Sequence, residues 1–196
     1  ILLYLPFNDV ILTPETYHRN HGKKQIRYNG FHETAYIHPG FQRQDTLNGA
    51  SSPDTILIRL VDWTASHDIG HKGLSTSTVY QLIKMVGDQS RIKILSEKPL
   101  PVKLQPYALT IQPHKLHDFL KRVKLYVGEG ATLATECALT GIPAIFVNSR
   151  SAGVINAQSE AGLLYHYTSG AEVIDKVKYL LSNHDLLSHH HQKAID

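Results

Sequence analysis

One cysteine, Cys137, is the whole thiol complement of this 196-residue chain. It makes no intramolecular disulfide, so a disulfide scaffold is excluded and a reducing compartment, the cytoplasm, is expected. With no second cysteine to join the histidines, a zinc site is not expected either. No apolar run reaches the ~18 residues a membrane span requires, so no transmembrane segment is expected. Neither sign of charge dominates: 20 Lys and Arg against 17 Asp and Glu leave +3 with His neutral. No basic cluster is interleaved with aromatics, which argues against nucleic acid as a partner. Internal repeats are absent, and "HHH" at 189–191, in the tail, is the nearest approach to low complexity.

What remains is an ordinary globular composition, 42% hydrophobic and 19% charged, long enough to bury a sizeable core. The chain opens on "ILLYLPFNDVILTP", a strand-like apolar start that is expected to belong to a longer chain lacking here its amino-terminal half. Residues 1–50 are irregular, with a short strand, then "YNGFHETAYIHPG", read as a connector between two bodies. In it His32, Glu33, Tyr36 and His38 are placed to face a cleft or to pack between domains. "LNGASSPD" (47–54) is a loop by composition and marks a domain division near residue 50.

From Thr55 a regular rhythm begins. "TILIRLVDW", "RIKILSE", "YALTIQP", "LYV", "PAIFV" and "LLYHY" are predicted strands. "STSTVYQLIKMVGD", "HKLHDFLKRV", the segment after Gly130, "INAQSEAGLL" and the closing stretch from Gly170 are predicted helices. Alternation of this kind implies βαβ units: an α/β, Rossmann-like, doubly wound parallel sheet over 51–196. In such sheets ligands sit beyond the carboxyl ends of the strands.

The loops at those ends carry the candidate chemistry. In "YVGEGATLATECALTGIPAIFVNS" (126–149), Gly128 and Gly130 flank Glu129 between a strand and a helix that starts near Ala131. Gly141 and Pro143 close that helix. Unpaired N–H groups at its start suit a phosphate. Thr132 adds a hydroxyl, and Glu136 suits the paired hydroxyls of a ribose. A plain βα corner with a solvated Glu is the competing reading. "DWTASHDIGHKG" gathers Asp62, His67, Asp68, His71 and Lys72. Histidines beside carboxylates suit proton transfer and the lysine suits a phosphate, unless the loop is merely solvated. "TIQPHKLHD" places Pro113 at a helix start, with backbone groups of Gln112 or His114 toward the same rim or engaged in ordinary capping.

The run "IQPHKLHDFLKRVKLYVGEGATLATECALTGIPAIFVNS" resembles the carboxyl-terminal half of the GT-B nucleotide-sugar enzymes. These include the lipid-linked N-acetylglucosaminyltransferase of peptidoglycan synthesis and the UDP-N-acetylglucosamine 2-epimerases. "RYNGFHETAYIHP" and "ILIRLVDWTASHDIGHKG" are similar to a bacterial and archaeal family labelled a domain of unknown function, number 354, spanning nearly this whole chain. The resemblance implies that Gly130, Ala131 and Thr132 hold a diphosphate. It also implies that Glu136 binds ribose hydroxyls and that Ile111 to His114 read uracil through the backbone. It places His67 or His71 where the 2-epimerases carry a functional histidine. Glu129 departs from the small residue common in the transferases. A carboxylate there repels a phosphate unless it turns away or pairs with Lys72 or Arg59. The implied partners are a UDP-sugar donor, serving as substrate with no further cofactor, and an unidentified acceptor. The implied activity is glycosyl transfer, with 2-epimerisation or a non-catalytic nucleotide-sugar module as alternatives. A fragment lacking its amino-terminal half is expected to bind donor and be inactive. The oligomeric state stays open, a homo-oligomer included.

Overall fold

The computed structural model describes residues 5–37, 54–63, 73–149, 151–170 and 172–183. Five strands, β3 (Thr55–Leu60), β4 (Ile92–Ser96), β5 (Val123–Gly128), β6 (Ala144–Val147) and β7 (Leu164–Tyr167), form one parallel sheet. Its order is β4-β3-β5-β6-β7, so the first strand of the set lies inside the sheet. Succession runs outward from β3 to β4, then restarts from β5 in the opposite direction. The reversal between β3 and β5 is a topological switch point.

Helices cover both faces. Helices α1 (Thr76–Val86) and α5 (Val173–Ser182) pack on one face through Val79, Leu82, Val177 and Leu180, against Ile56, Ile58 and Val127. On the other face, α2 (Leu116–Leu120), α3 (Ala131–Leu139) and α4 (Gly153–Glu160) meet Leu57, Tyr126, Ala144 and Phe146. Strands sandwiched in this way read as continuous apolar runs, as "ILI" (56–58) and "AIFV" (144–147) do. The expected Rossmann-like sheet is therefore present.

Local sequence explains the boundaries. Gly87 takes φ +73° after α1 and its N–H closes on the Ile83 carbonyl. After α3, Gly141 takes φ +75°, with Gly141 N–H to Ala138 O at 3.1 Å and Ile142 N–H to Cys137 O at 2.8 Å. That is the two-bond glycine cap a Gly-x-Pro exit announces. Helix α3 is buried from Leu133 through Ala138, Cys137 included. Its side away from the sheet is covered by the one-turn 3-10 helix His32–Ala35, in which Glu33 is buried.

The amino-terminal segment adds a two-stranded parallel ribbon, β1 (Ile11–Pro14) and β2 (Gln25–Tyr28), with Leu12 opposite Ile26 and both exposed. It continues along the start of α4, where a Cβ on Gly153 would collide with the Thr16 carbonyl oxygen.

Two expectations are corrected. "YALTIQP" is not a strand: Val102–Tyr107 is a 3-10 helix, and only Ala108 bridges to Ile94. Leu109 N–H reaches Ile94 O at 2.8 Å, but no second bridge follows, and Pro113 ends the stretch with no N–H to give a ladder. "HKLHDFLKRV" is shorter than predicted, a 3-10 turn Pro113–Lys115 leading into the five-residue α2. The division near residue 50, His38 and the tail histidines lie outside the described residues.

Candidate functional site

At the switch point β3 and β5 stay paired to their carboxyl ends, at Arg59 and Gly128. The chain leaves them for helices on opposite faces, and Gly128-Glu129-Gly130 carries it from β5 into α3. The two glycines differ. A Cβ on Gly128 would stand 2.5 Å from Tyr126 Oη and 2.7 Å from Arg59 Cβ, so packing alone demands glycine there. Gly130 has φ −87° and ψ 116°, open to any residue, and a Cβ on it meets nothing nearer than Arg59 Cγ at 3.6 Å. Neither conformation nor packing requires a glycine at 130. What its missing side chain leaves clear is the approach to the start of α3. That start receives no side-chain cap and has no acidic residue in its first turn. Its first N–H groups and the positive end of the helix dipole face outward unpaired by any cap. The Tyr126 hydroxyl supports the corner from beneath, donating to the Gly130 carbonyl at 3.1 Å. Burial pushes that phenol well above its usual pKa, so it stays a donor.

A cleft of about 450 Å³ opens over this corner, within the range of small-molecule sites. Gly130, Ala131, Thr132 and Glu136 form one wall, and Arg59 with Glu97 another. Leu95, Ile111, Pro113 and Leu116 supply an apolar flank. Thr132 and Glu136, four residues apart, lie on one face of α3. Glu136 is buried and its Oε2 lies 3.1 Å from His117 Nε2, on α2 across the cleft wall. The cation of the cleft, Arg59, is ion-paired with Glu97 rather than free, and Glu97 also accepts from the Asp62 N–H at 2.8 Å. Lys98 pairs with Asp62 at 2.7 Å.

Glu129 is turned away from the cleft. Buried at 4% exposure, it accepts from Val61 N–H at 2.9 Å, from Leu74 N–H at 2.7 Å and from the Trp63 side chain. Burial raises its carboxyl pKa, and the hydrogen bonds oppose that rise. Of the alternatives open in sequence, turning away holds. Pairing with Arg59 does not, because that guanidinium goes to Glu97.

The fold thus brings Arg59, Pro113, Gly130, Ala131, Thr132 and Glu136 around one cleft, with Gly128 in the turn that shapes it. Gln112 and His114 flank Pro113, exposed, and do not line the cleft. His67, His71 and Lys72, with Asp68, lie outside the described residues. His117, Glu97 and Tyr126 were missed by sequence reading. Only a carboxylate needing a partner pointed to His117, and nothing in the spacing singled it out from neighbouring histidines. Among the described residues no group of three His, Cys, Asp or Glu is arranged to hold a metal ion. None of the described helices is long and apolar enough to cross a membrane.

No protein-family model matches the chain, and no curated protein matches it. Among solved structures it is similar to a protein from Listeria monocytogenes designated a UDP-N-acetylglucosamine 2-epimerase. The identity is 18% and the TM-score 0.47, over 72% of this chain and 39% of that one. A likeness of that degree bears on neither substrate nor reaction, and the chain spans well under half of that protein's length.

Proposed function

We propose that the cleft is the donor site of a UDP-sugar-dependent glycosyltransferase of GT-B type. The observation that carries this reading is the start of α3, uncapped by any side chain, opening at the switch point beside an otherwise unexplained glycine. A diphosphate there receives backbone N–H groups, the Thr132 hydroxyl and the helix dipole. Glu136, about 6 Å further along the axis from Thr132, is placed for the ribose hydroxyls of the same nucleotide. The flank of Leu95, Ile111 and Pro113 offers a flat apolar surface to the base.

In transfer, an acceptor oxygen attacks the anomeric carbon while the bond to the β-phosphate oxygen breaks. The departing UDP carries the developing charge, and the fixed N–H groups of α3 stabilise it where it forms. No residue of the cleft is assigned to the acceptor. A 2-epimerase shares such a donor site and needs His67 or His71, which follow β3 in the sequence. The two enzymes separate when the protein is incubated with UDP-N-acetylglucosamine and no acceptor: epimerised or cleaved sugar counts against the transferase.

Calorimetric titration of this chain with UDP, UDP-N-acetylglucosamine and a dTDP-sugar tests the site. Saturable binding of the uridine nucleotides, weakened about tenfold or more by Glu136→Ala, is the expected result. Absence of binding by any nucleotide, or unchanged affinity in the Glu136 variant, removes the assignment.

A further inference from the structure

We propose that His117 sets the discrimination between ribose and 2′-deoxyribose in the cleft, by fixing the carboxylate of Glu136. The inference rests on the cleft holding a nucleotide. Glu136 lines the cleft with its side chain only 10% exposed, and the His117 ring nitrogen is its sole side-chain hydrogen-bond partner among the described residues. An ionised carboxylate has about four acceptor positions, and buried ones are normally filled. Here Oε2 is engaged and Oε1 is left to whatever enters. A vicinal diol supplies two donors to such a carboxylate, and a 2′-deoxy sugar supplies one fewer.

His117 is not itself in the cleft wall. Its neighbour on α2, Leu116, is, and His117 reaches across to α3 from the element that follows Pro113. The pair thus ties the two sides of the cleft together at the depth of the sugar. A glutamate held by a fixed donor presents its free oxygen in one orientation. A glutamate without that donor must be ordered by the ligand, which offsets part of the hydroxyl's contribution. His117 is therefore a positioning residue. Its signature is a change in the ratio of two affinities rather than in binding as a whole.

The test measures dissociation constants of UDP and 2′-deoxy-UDP for the wild-type chain, His117→Ala and His117→Gln, with melting temperatures as a fold control. The side chain is about one-third exposed, so both variants are expected to fold. The wild type should prefer UDP about tenfold. His117→Ala should reduce that preference to about twofold, with the 2′-deoxy-UDP affinity little changed. His117→Gln, which keeps a donor near the position of Nε2, should restore it. An unchanged ratio in His117→Ala, equal weakening of both nucleotides, or failure of the Gln rescue overturns the proposal. A wild type that binds UDP without preference also overturns it, leaving the donor site standing. A wild type that binds no nucleotide overturns the donor site and this inference together.

Discussion

Two strand-to-helix corners meet at the centre of this sheet, and they are finished in opposite ways. Where the chain enters α1, Ser75 caps the helix, its Oγ accepting from Thr78 N–H at 3.1 Å, and the Leu74 N–H is bound by Glu129. Where it enters α3, Gly130 offers no side chain and the helix start is left open. The acidic residue beside the open corner is spent on its neighbour. Glu129 joins Val61, just after β3, to Leu74, just before α1. The proposed phosphate loop thus holds a carboxylate that is turned away from the cleft. One corner is closed by a side chain and the other is left open.

That contrast can be broken at several points. Glu129→Ala deprives two backbone N–H groups of a charged acceptor and is expected to cost roughly 3 to 5 kcal/mol, measured by chemical denaturation. The variant Glu129→Gln sharpens the point through pH. Burial raises the Glu129 pKa, so the folded chain holds that proton more tightly than the unfolded chain does. Its contribution is present at low pH and is lost as pH rises through the folded-state value. Unfolding free energies from about pH 4 to 7 should therefore slope less downward in the Gln variant than in the wild type.

Closing the open corner is the next largest effect. Gly130→Asp has room and an N-cap backbone conformation, so stability should hold or rise by a few tenths of a kcal/mol. Nucleotide diphosphate affinity should fall by about 100-fold, about 2.8 kcal/mol, because the new carboxylate occupies the anion's position. Gly128→Ala should do the reverse. Its collision with Tyr126 and Arg59 predicts a loss of about 1 to 3 kcal/mol in stability. The smallest change is Ser75→Ala at the closed corner, worth about 1 kcal/mol by denaturation, with UDP affinity the same as wild type by calorimetry.

Much of this was legible from residue order. The corner at Gly128–Gly130, the helix after it and its exit through Gly141 and Pro143 follow from local rules that act within a few residues. The sheet followed from alternation of apolar runs. What escaped depends on contacts across the chain. Glu136 and His117 are 19 positions apart, and Glu129 and Val61 are 68 apart, distances at which no periodicity operates. Arg59 was considered as a partner for Glu129, but its actual partner, Glu97, follows the end of a neighbouring strand. "YALTIQP" misled because its apolar alternation says nothing of a pairing partner, and it finds one only at Ala108, opposite Ile94. The two glycines looked alike in sequence and separate only when the space around each Cβ is known.

The lone thiol of Cys137 lies fully buried one residue beyond Glu136, on the helix that forms the wall of the cleft. The molecule therefore carries its own reporter of opening at that helix. An aromatic disulfide reagent can label it only when α3 lifts from the sheet or the chain unfolds, so the colour released over time reads the frequency of that excursion. A ligand bound at the helix start is expected to slow the labelling clock, and no engineered probe is needed to watch it.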